Sequence, residues 1–582
     1  MCENAILVIV ERPERNIMKI VIVGGVAGGA SAAARARRLN EDAEIVILER
    51  GEYVSFANCG LPYHIGGGIS RRRDLLIATP ESFHSQFAID VRVGHEVMHI
   101  DRDNKSVRVL EHSSGRDYEE SYDKLILSQG ASAIRPQLPG IDHPRIFALR
   151  NIPDMDSIME LIGDGAKTAM VTGAGYVGLE MVEALARRGL DVNLVELQDQ
   201  VLPVLDRELA SDLLLHLEMK GVKVHLETAA REFSDSMGRV EVLLDDDTAI
   251  IADFVIMAVG VRPETGLARE AGLELGQSGG VKVDEHMRTS DADIYAAGDM
   301  VEVTDTVTGQ AANIPLAGPA NRQGRIAADH VSGRTSSYTS TQGTAVVKVF
   351  DMTAAISGAS EKVLLRAGIP YEKIFLHPFG HAAYYPGTAQ MHTKVLFDPA
   401  DGRLLGAQIV GRDGVDKRMD VFAVAVRMGM TVFDLEHLEL SYAPPYGSAK
   451  DPVNMAGFVG ANILNGDVRF WFAEDHPGKT ASGTVVDVRT PKEFAAGRLA
   501  GAVNIPLDDI RARIDEFRQI PEPHYIYCLT GIRSYLAYRI LDMNGFTDIY
   551  NLAGGWKTFI SCHRQRLMDG RIVVANTEEM TD

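Results

Sequence analysis

The architecture of this chain turns on Lys19-Ile20-Val21-Ile22-Val23-Gly24-Gly25-Val26-Ala27-Gly28-Gly29-Ala30. The apolar run reads as a buried strand, the glycines as a tight turn, the alanine-rich residues 31–39 as a helix, and residues 44–48 as a second strand closed by Glu49. Strand, glycine turn, helix and strand with a terminal acid form the dinucleotide-binding pattern, in which a helix N-terminus faces a pyrophosphate and the acid accepts from a ribose hydroxyl. The turn departs from G-x-G-x-x-G because Val26 stands where the second glycine is expected. Gly24, Val26, Ala27, Gly28 and Glu49 are the candidate contacts.

Working outward, a second copy starts with the strand at residues 169–171 and continues Gly173-Ala174-Gly175-Tyr176-Val177-Gly178, a complete fingerprint, with the strand at 192–195 ending at Glu196. A carboxylate there accepts from a free 2′-hydroxyl and repels a 2′-phosphate, which favours NADH over NADPH. Two such units imply two nucleotides with different tasks. Between them lies Ser55-Phe56-Ala57-Asn58-Cys59-Gly60-Leu61-Pro62, which carries a cysteine with no second cysteine nearby. At an ordinary pKa of roughly 8.5 only a few per cent of such a thiol is ionised at neutral pH. A useful nucleophile needs that value lowered by about two units, and Gly60-Leu61-Pro62 suits a turn into a helix whose N-terminus favours the anion.

Composition sets the outer bounds. At 582 residues the chain exceeds a single core and implies several domains. Its net charge of -21 argues against a nucleic-acid surface. Four scattered cysteines (Cys2, Cys59, Cys528 and Cys562) make neither a disulfide framework nor a paired zinc site, so no metal is expected and a reducing cytoplasm is the expected setting. The apolar run Ala5-Ile6-Leu7-Val8-Ile9-Val10 is too short for a membrane span and lacks a basic flank. Residues 1–17 are therefore expected to be a loose extension, or Met18 the true start, and no role is assigned to Cys2.

With Ala258-Val259-Gly260-Val261-Arg262-Pro263 closing the second unit and Ile294-Tyr295-Ala296-Ala297-Gly298-Asp299 returning to the first, residues 18–455 resemble the two-dinucleotide flavoprotein disulfide reductases. The resemblance implies FAD on the first unit, with Asp299 on its ribityl chain and Ala317 nearby. It places NADH on the second, with Gly173, Gly175, Gly178, Glu196 and Gly260. The paired cysteines and the His-Glu acid-base couple of glutathione reductase relatives are absent. The Ser-Phe-x-Asn-Cys stretch, Tyr384-Tyr385-Pro386-Gly387 and Tyr442-Ala443-Pro444-Pro445-Tyr446 are instead similar to the coenzyme A-disulfide reductases and their NADH oxidase and peroxidase relatives. By that likeness Arg35 and Arg38 contact the phosphates of coenzyme A, with Arg71-Arg72-Arg73 adding to the basic patch. Ser55 and Asn58 flank Cys59, Lys450 approaches from the far end, and Tyr384 and Tyr442 supply protons from the partner of a homodimer.

After glycine-rich residues 456–480, which read as a connector, Val485-Val486-Asp487-Val488-Arg489 and Cys528-Leu529-Thr530-Gly531-Ile532-Arg533-Ser534 resemble a single rhodanese domain. There a strand-to-helix loop wraps backbone N–H groups around the sulfur of Cys528, and Arg533 braces it. The expected fold is α/β: two Rossmann-like domains, a mixed α+β dimerisation domain and an α/β rhodanese domain. The expected boundaries are an FAD domain at 18–150 and 262–339, an NADH domain at 151–261, a dimerisation domain at 340–455, a rhodanese at 481–565 and a tail at 566–582. The expected activity is reduction of persulfide or polysulfide sulfur by NADH through FAD and Cys59, with coenzyme A or its persulfide as ligand. Cys528 is expected to load from donors such as thiosulfate or bulk polysulfide. The alternatives are a coenzyme A-disulfide reductase, an NADH oxidase or peroxidase, and a redox-sensing sulfur-transfer module. Small thiols, persulfides and disulfides are the expected partners, with no membrane.

Overall fold

A computed structural model describes residues 17–568 together with Val574–Ala575; residues 1–16, with Cys2, and most of the tail lie outside the described residues. The opening stretch forms β1 (Lys19–Val23), α1 (Ala27–Leu39) and β2 (Glu44–Glu49). The helix starts earlier than its alanine-rich part indicates, because Gly28 and Gly29 are already within it. There follow the short helix α2 (Leu61–Ile65), β3 (Asp90–Val93) and β4 (Lys124–Leu127). Ile20, Val21 and Ile22 are fully buried between layers, as an interior strand of a parallel sheet requires.

The second unit contains β5 (Ile146–Phe147), β6 (Thr168–Thr172), α3 (Tyr176–Arg187), β7 (Asp191–Val195), α4 (Arg207–Met219), β8 (Lys223–His225) and β9 (Phe254–Met257). Its parallel sheet runs β8-β7-β6-β9-β5, so the chain has already entered this sheet at Ile146, before the expected boundary. The chain then returns: β10 (Ile294–Ala296) pairs with β4 and completes a parallel sheet of order β10-β4-β1-β2-β3, and α5 (Ala317–Val331) packs across α1. The interleaving is what the order of the motifs requires.

The third unit is an antiparallel sheet of β11 (Ala345–Val349), β12 (Met352–Gly358), β13 (Glu372–Leu376), β14 (His392–Phe397) and β15 (Leu404–Gly411), in the order β11-β12-β15-β14-β13. Helix α6 (Val415–Met428) covers it. The stretch expected as a connector is largely ordered: α7 (Pro452–Leu464), capped by Asp451, packs into the same core, and β16 (Phe470–Trp471) is already the edge of the next sheet. Its glycines mislead because Gly457 and Gly460 mark close helix packing, where a Cβ would meet the backbone of Val432 and Glu436 and the side chain of Val432.

The last unit adds β17 (Thr484–Asp487), α8 (Pro491–Ala496), β18 (Val503–Asn504), β19 (His524–Tyr527), α9 (Ile532–Met543), β20 (Ile549–Leu552) and α10 (Gly555–Met568), with a parallel sheet of order β16-β20-β19-β17-β18. This unit is docked on the reductase through α10. Ser561 donates to Asp212 on α4 at 2.6 Å, Arg564 pairs with Glu218 at 2.9 Å, and Lys557 reaches Gln390. The Thr558 hydroxyl lies 2.9 Å from His377 and 3.2 Å from His392, whose rings meet at a tilt with centroids 4.5 Å apart. Beneath this seam Lys394 is fully buried among Asp206 at 3.0 Å, Glu361 at 2.5 Å and Glu208 at 3.4 Å.

Candidate active site

The two glycine turns are built alike. Gly24 and Gly173 both have φ +94°, where L side chains are rare, and a Cβ on either would lie 2.4 Å from a carbonyl oxygen, that of Ser128 or Ala258. In this register Val26 matches Gly175, and the third-glycine role falls to Gly29, beside Gly28, because Gly29 and Gly178 both press on the first glycine's carbonyl. Helices α1, α3 and α5 all begin without a side-chain cap, at Val26, Gly175 and Leu316, leaving the N–H groups around Ala27, Tyr176 and Ala317 for an anion. A Cβ on Gly324 of α5 would sit 2.1 Å from the Gly28 oxygen, so the crossing of the α1 and α5 N-termini depends on its absence.

Glu49 accepts from Gly25 and Gly51 N–H, each at 2.8 Å, and Glu196 accepts from Ala174 at 2.7 Å and Gln198 at 2.9 Å. Each acid is thereby locked at the lip of its turn. Gly260 follows β9 at φ +112°. Asp299 lies just past β10, 3.9 Å from Arg150, and burial pushes its carboxyl up against the opposing pull of that arginine. These uncapped N-termini and fixed carboxylates fit a dinucleotide on each unit: Gly24 to Gly28, Glu49, Asp299 and Ala317 would hold FAD, and Gly173 to Gly178, Glu196 and Gly260 the pyridine nucleotide.

Cys59 projects from a 3₁₀ turn leading into α2, and its backbone N–H donates to the Asn58 side-chain oxygen Oδ1 at 3.0 Å. Asn58 Oδ1 also lies 3.7 Å from the thiol sulfur. Ser55 holds this loop in place with a left-handed backbone, φ +46°, its N–H bonded to Gly25 oxygen at 2.8 Å. The expectation of a lowered thiol pKa is corrected by the surroundings. Burial pushes the Cys59 thiol up, Glu180 and Asp299 add like-charge repulsion, and Arg150 and the thiol's own backbone contact only partly oppose them. A helix of five residues contributes too little field to reverse this. Sequence reasoning missed Glu180, although it closes the second fingerprint on α3. Its carboxylate accepts from the Tyr63 hydroxyl at 3.0 Å, so the nucleotide helix meets the cysteine helix directly. Arg188 strengthens that seam by donating to Ile65 oxygen at 2.5 Å.

The basic residues divide. Arg35 is turned to Asp329 on α5 at 2.6 Å and is largely buried, whereas Arg38 is exposed. Arg71 pairs with Asp74 at 2.8 Å and Arg72 with Asp156 at 2.6 Å, so two arginines of that run already have carboxylate partners. Lys450 is exposed. Tyr384 and Tyr442 meet hydroxyl to hydroxyl at 2.9 Å, both open to solvent, and this bond raises the pKa of Tyr384. Within one chain they form a pair of their own on the dimerisation unit.

Cys528 is fully buried at the end of β19, where Gly531 N–H donates to its sulfur at 3.1 Å and the Ser534 hydroxyl at 3.3 Å. Of the several backbone N–H groups expected around the sulfur, that of Gly531 bonds it, and Ser534 is a side-chain donor beside it. Arg533 braces the loop through Glu493, at 2.8 and 2.6 Å. The first turn of α10 closes the loop from below: Trp556 N–H bonds Cys528 oxygen at 2.8 Å and Lys557 N–H bonds Leu529 oxygen at 3.0 Å. Among the described residues no cluster could hold a metal ion, and no helix is long and apolar enough to cross a membrane.

Comparison with known proteins agrees with this assembly. Residues 18–324 match the pyridine nucleotide-disulphide oxidoreductase model, residues 344–451 its dimerisation domain, and residues 473–562 the rhodanese-like domain. The coenzyme A disulfide reductase of Staphylococcus haemolyticus is 37% identical over 447 residues, covering 76% of this chain and all of that protein. Among solved structures, reduced CoADR-RHD of Bacillus anthracis is similar with TM-score 0.92 and 46% identity, covering 94% of this chain and 99% of that one. A NAD-dependent persulfide reductase from A. fulgidus follows with TM-score 0.88 and 35% identity, covering 93% and 100%. Membership implies FAD and NAD(H) as cofactors, as the two nucleotide turns require. The chain is thus an enzyme that belongs to the pyridine nucleotide-disulphide oxidoreductase family and carries a rhodanese-like domain docked on its reductase half.

Proposed function

We propose that this enzyme uses NADH, in preference to NADPH, to reduce the sulfane sulfur of persulfides and polysulfides, coenzyme A persulfide among them, and that Cys528 supplies sulfur to Cys59. The observation that carries this reading is the pairing of a single-cysteine reductase site with a cysteine already cradled by two donors for a sulfur anion. A disulfide reductase needs only the first. Likeness to both a coenzyme A disulfide reductase and a persulfide reductase supports the same class. Reduction of coenzyme A disulfide is the second reading, favoured by the curated relatives, which match the reductase half.

Bound FAD would relay two electrons from NADH to the sulfur on Cys59. The protein's own residues do the rest. Cys59 thiolate attacks the sulfane sulfur of R–S–SH, the S–S bond breaks, and R–S⁻ departs while the sulfur stays on Cys59 as a persulfide. Two electrons then cleave that bond, restoring the thiolate and releasing hydrosulfide. Tyr384, which keeps its proton through the bond to Tyr442, would protonate the departing thiolate. By resemblance the pair comes from the partner subunit of a homodimer, with Arg38 and Lys450, both exposed, toward a nucleotide phosphate. The docked rhodanese favours a diffusible thiol as carrier between Cys528 and Cys59 over travel of the domain. NADH consumption measured anaerobically with coenzyme A persulfide and with coenzyme A disulfide, and separately with oxygen as the sole acceptor, tests the reading. Persulfide should be turned over fastest and Cys59→Ser should abolish it. Faster turnover of the disulfide would put the second reading first.

A further inference from the structure

The cations around Cys528 are already matched. Arg533 gives both terminal nitrogens to the Glu493 carboxylate, at 2.8 and 2.6 Å, and the same carboxylate accepts from the Thr490 N–H at 3.0 Å and hydroxyl at 2.8 Å. Arg533 holds Glu493 at a pKa of about 2, so the carboxylate stays charged at any working pH. Arg489, lying against the Trp556 ring at 4.9 Å, chelates Asp487 at 2.7 to 3.0 Å. Lys557, whose N–H bonds the loop at Leu529, turns its ammonium to Gln390 on the reductase. Beside them Ile532 gives the mouth of the loop an apolar side chain that is 56% exposed.

These commitments bear differently on different sulfur donors. With thiosulfate, Cys528 thiolate attacks the outer sulfur, the bond to the sulfonate breaks, and sulfite departs with both negative charges. Donor and leaving group alike need a free cation. With a persulfide R–S–SH, the same attack leaves a persulfide anion on Cys528 and releases R–SH, the proton passing to the departing sulfur. No second anion has to be stabilised.

We propose that Glu493 sets the donor specificity of the Cys528 site: by closing Arg533 into an ion pair it leaves the cradle selective for thiol persulfides and excludes thiosulfate. This rests on Cys528 being a sulfur carrier, and it narrows the donors such a loop is expected to take.

The test uses the full-length FAD-loaded enzyme carrying Cys59→Ser, mixed anaerobically with glutathione persulfide or with thiosulfate, and peptide mass spectrometry to follow the added sulfur on Cys528. Persulfide should load it faster than thiosulfate by roughly tenfold or more, the scale of one charge-assisted hydrogen bond. Glu493→Gln keeps an acceptor for Thr490 while freeing Arg533, and should raise the ratio of thiosulfate to persulfide loading by roughly tenfold, a ratio that a loosened brace acting on both donors alike does not move. Equal loading by both donors in the parent enzyme would overturn the specificity while leaving the carrier reading intact. So would a Glu493→Gln enzyme whose ratio of thiosulfate to persulfide loading stays at the parent value. If Cys528 took sulfur from neither donor in the parent enzyme, the carrier reading itself would fall.

Discussion

The hydroxyl-to-hydroxyl bond between Tyr384 and Tyr442 yields a quantitative expectation. At 2.9 Å only one proton lies between the two oxygens, so the pair is one donor unit, in which Tyr442 orients Tyr384 and raises its pKa. Losing a positioned general acid costs on the order of 10²-fold in rate. Tyr384→Phe removes the donor and Tyr442→Phe removes its orientation, so each should slow persulfide turnover by about 10²-fold. The double variant should be slower by about the same factor, and not by the roughly 10⁴-fold product expected of two independent groups. Because both side chains are solvent-exposed, melting temperature and flavin content should be unaffected in all three variants. The assay is anaerobic stopped-flow oxidation of NADH with a fixed persulfide, run as a double-mutant cycle. Multiplicative losses would mean two separate proton paths, and unchanged rates in both single variants would return the pair to interface packing.

Other expectations follow from the same geometry. Gly324→Ala drives a methyl to 2.1 Å from the Gly28 oxygen, so α5 must shift at a cost of about 1–3 kcal/mol; flavin per chain should fall, and full flavin content would disprove the role given to that crossing. Lys394→Met strips the cation from two buried carboxylates and the half-buried Glu361 and should destabilise the fold by about 3–5 kcal/mol, read by calorimetry, with an unchanged transition as the contrary result. Burial pushes Glu361 up, but Lys394 and Lys373 outweigh it and hold it at about 2. Its folded pKa is below its unfolded one, so its contribution is complete above the ordinary glutamate value of 4.5 and is lost as pH falls toward 2. Glu180→Gln removes a negative charge facing Cys59 and should move the pH midpoint of Cys59 alkylation downward; a midpoint that stayed put would assign the raised thiol to burial alone.

The motifs and their order carried the architecture, because a glycine forced to φ +94° beneath a neighbouring strand's carbonyl leaves a visible mark wherever it recurs. Cys59, Asn58, Glu49, Glu196 and the Cys528 loop were legible for the same reason: each is fixed by local chain geometry. What stayed hidden depends on residues far apart in sequence. Tyr63 meets Glu180 only when the two nucleotide units fold together, and the environment that raises the Cys59 thiol comes from α3 and β10 as much as from its own loop. The claim of Asp329 on Arg35 likewise needs the chain's return to the first sheet. Helix α7 was hidden for a different reason, since glycines that permit tight packing look the same in sequence as glycines that end structure.

Helix α10 has a bearing on how such a fusion is inherited. Its first turn completes the sulfur loop, and side chains on the following turns seat on Asp212, Glu218, His377, Gln390 and His392, which come from two other units of the chain. Recombination that exchanged only the last hundred or so residues would import a helix whose polar teeth find the wrong sockets. Its misfit would be transmitted straight to the hydrogen bonds on Cys528 and Leu529 carbonyls. Substitutions at these scattered positions should therefore be inherited together with those on α10, and a transplanted rhodanese should work in a foreign host only when its sockets travel with it.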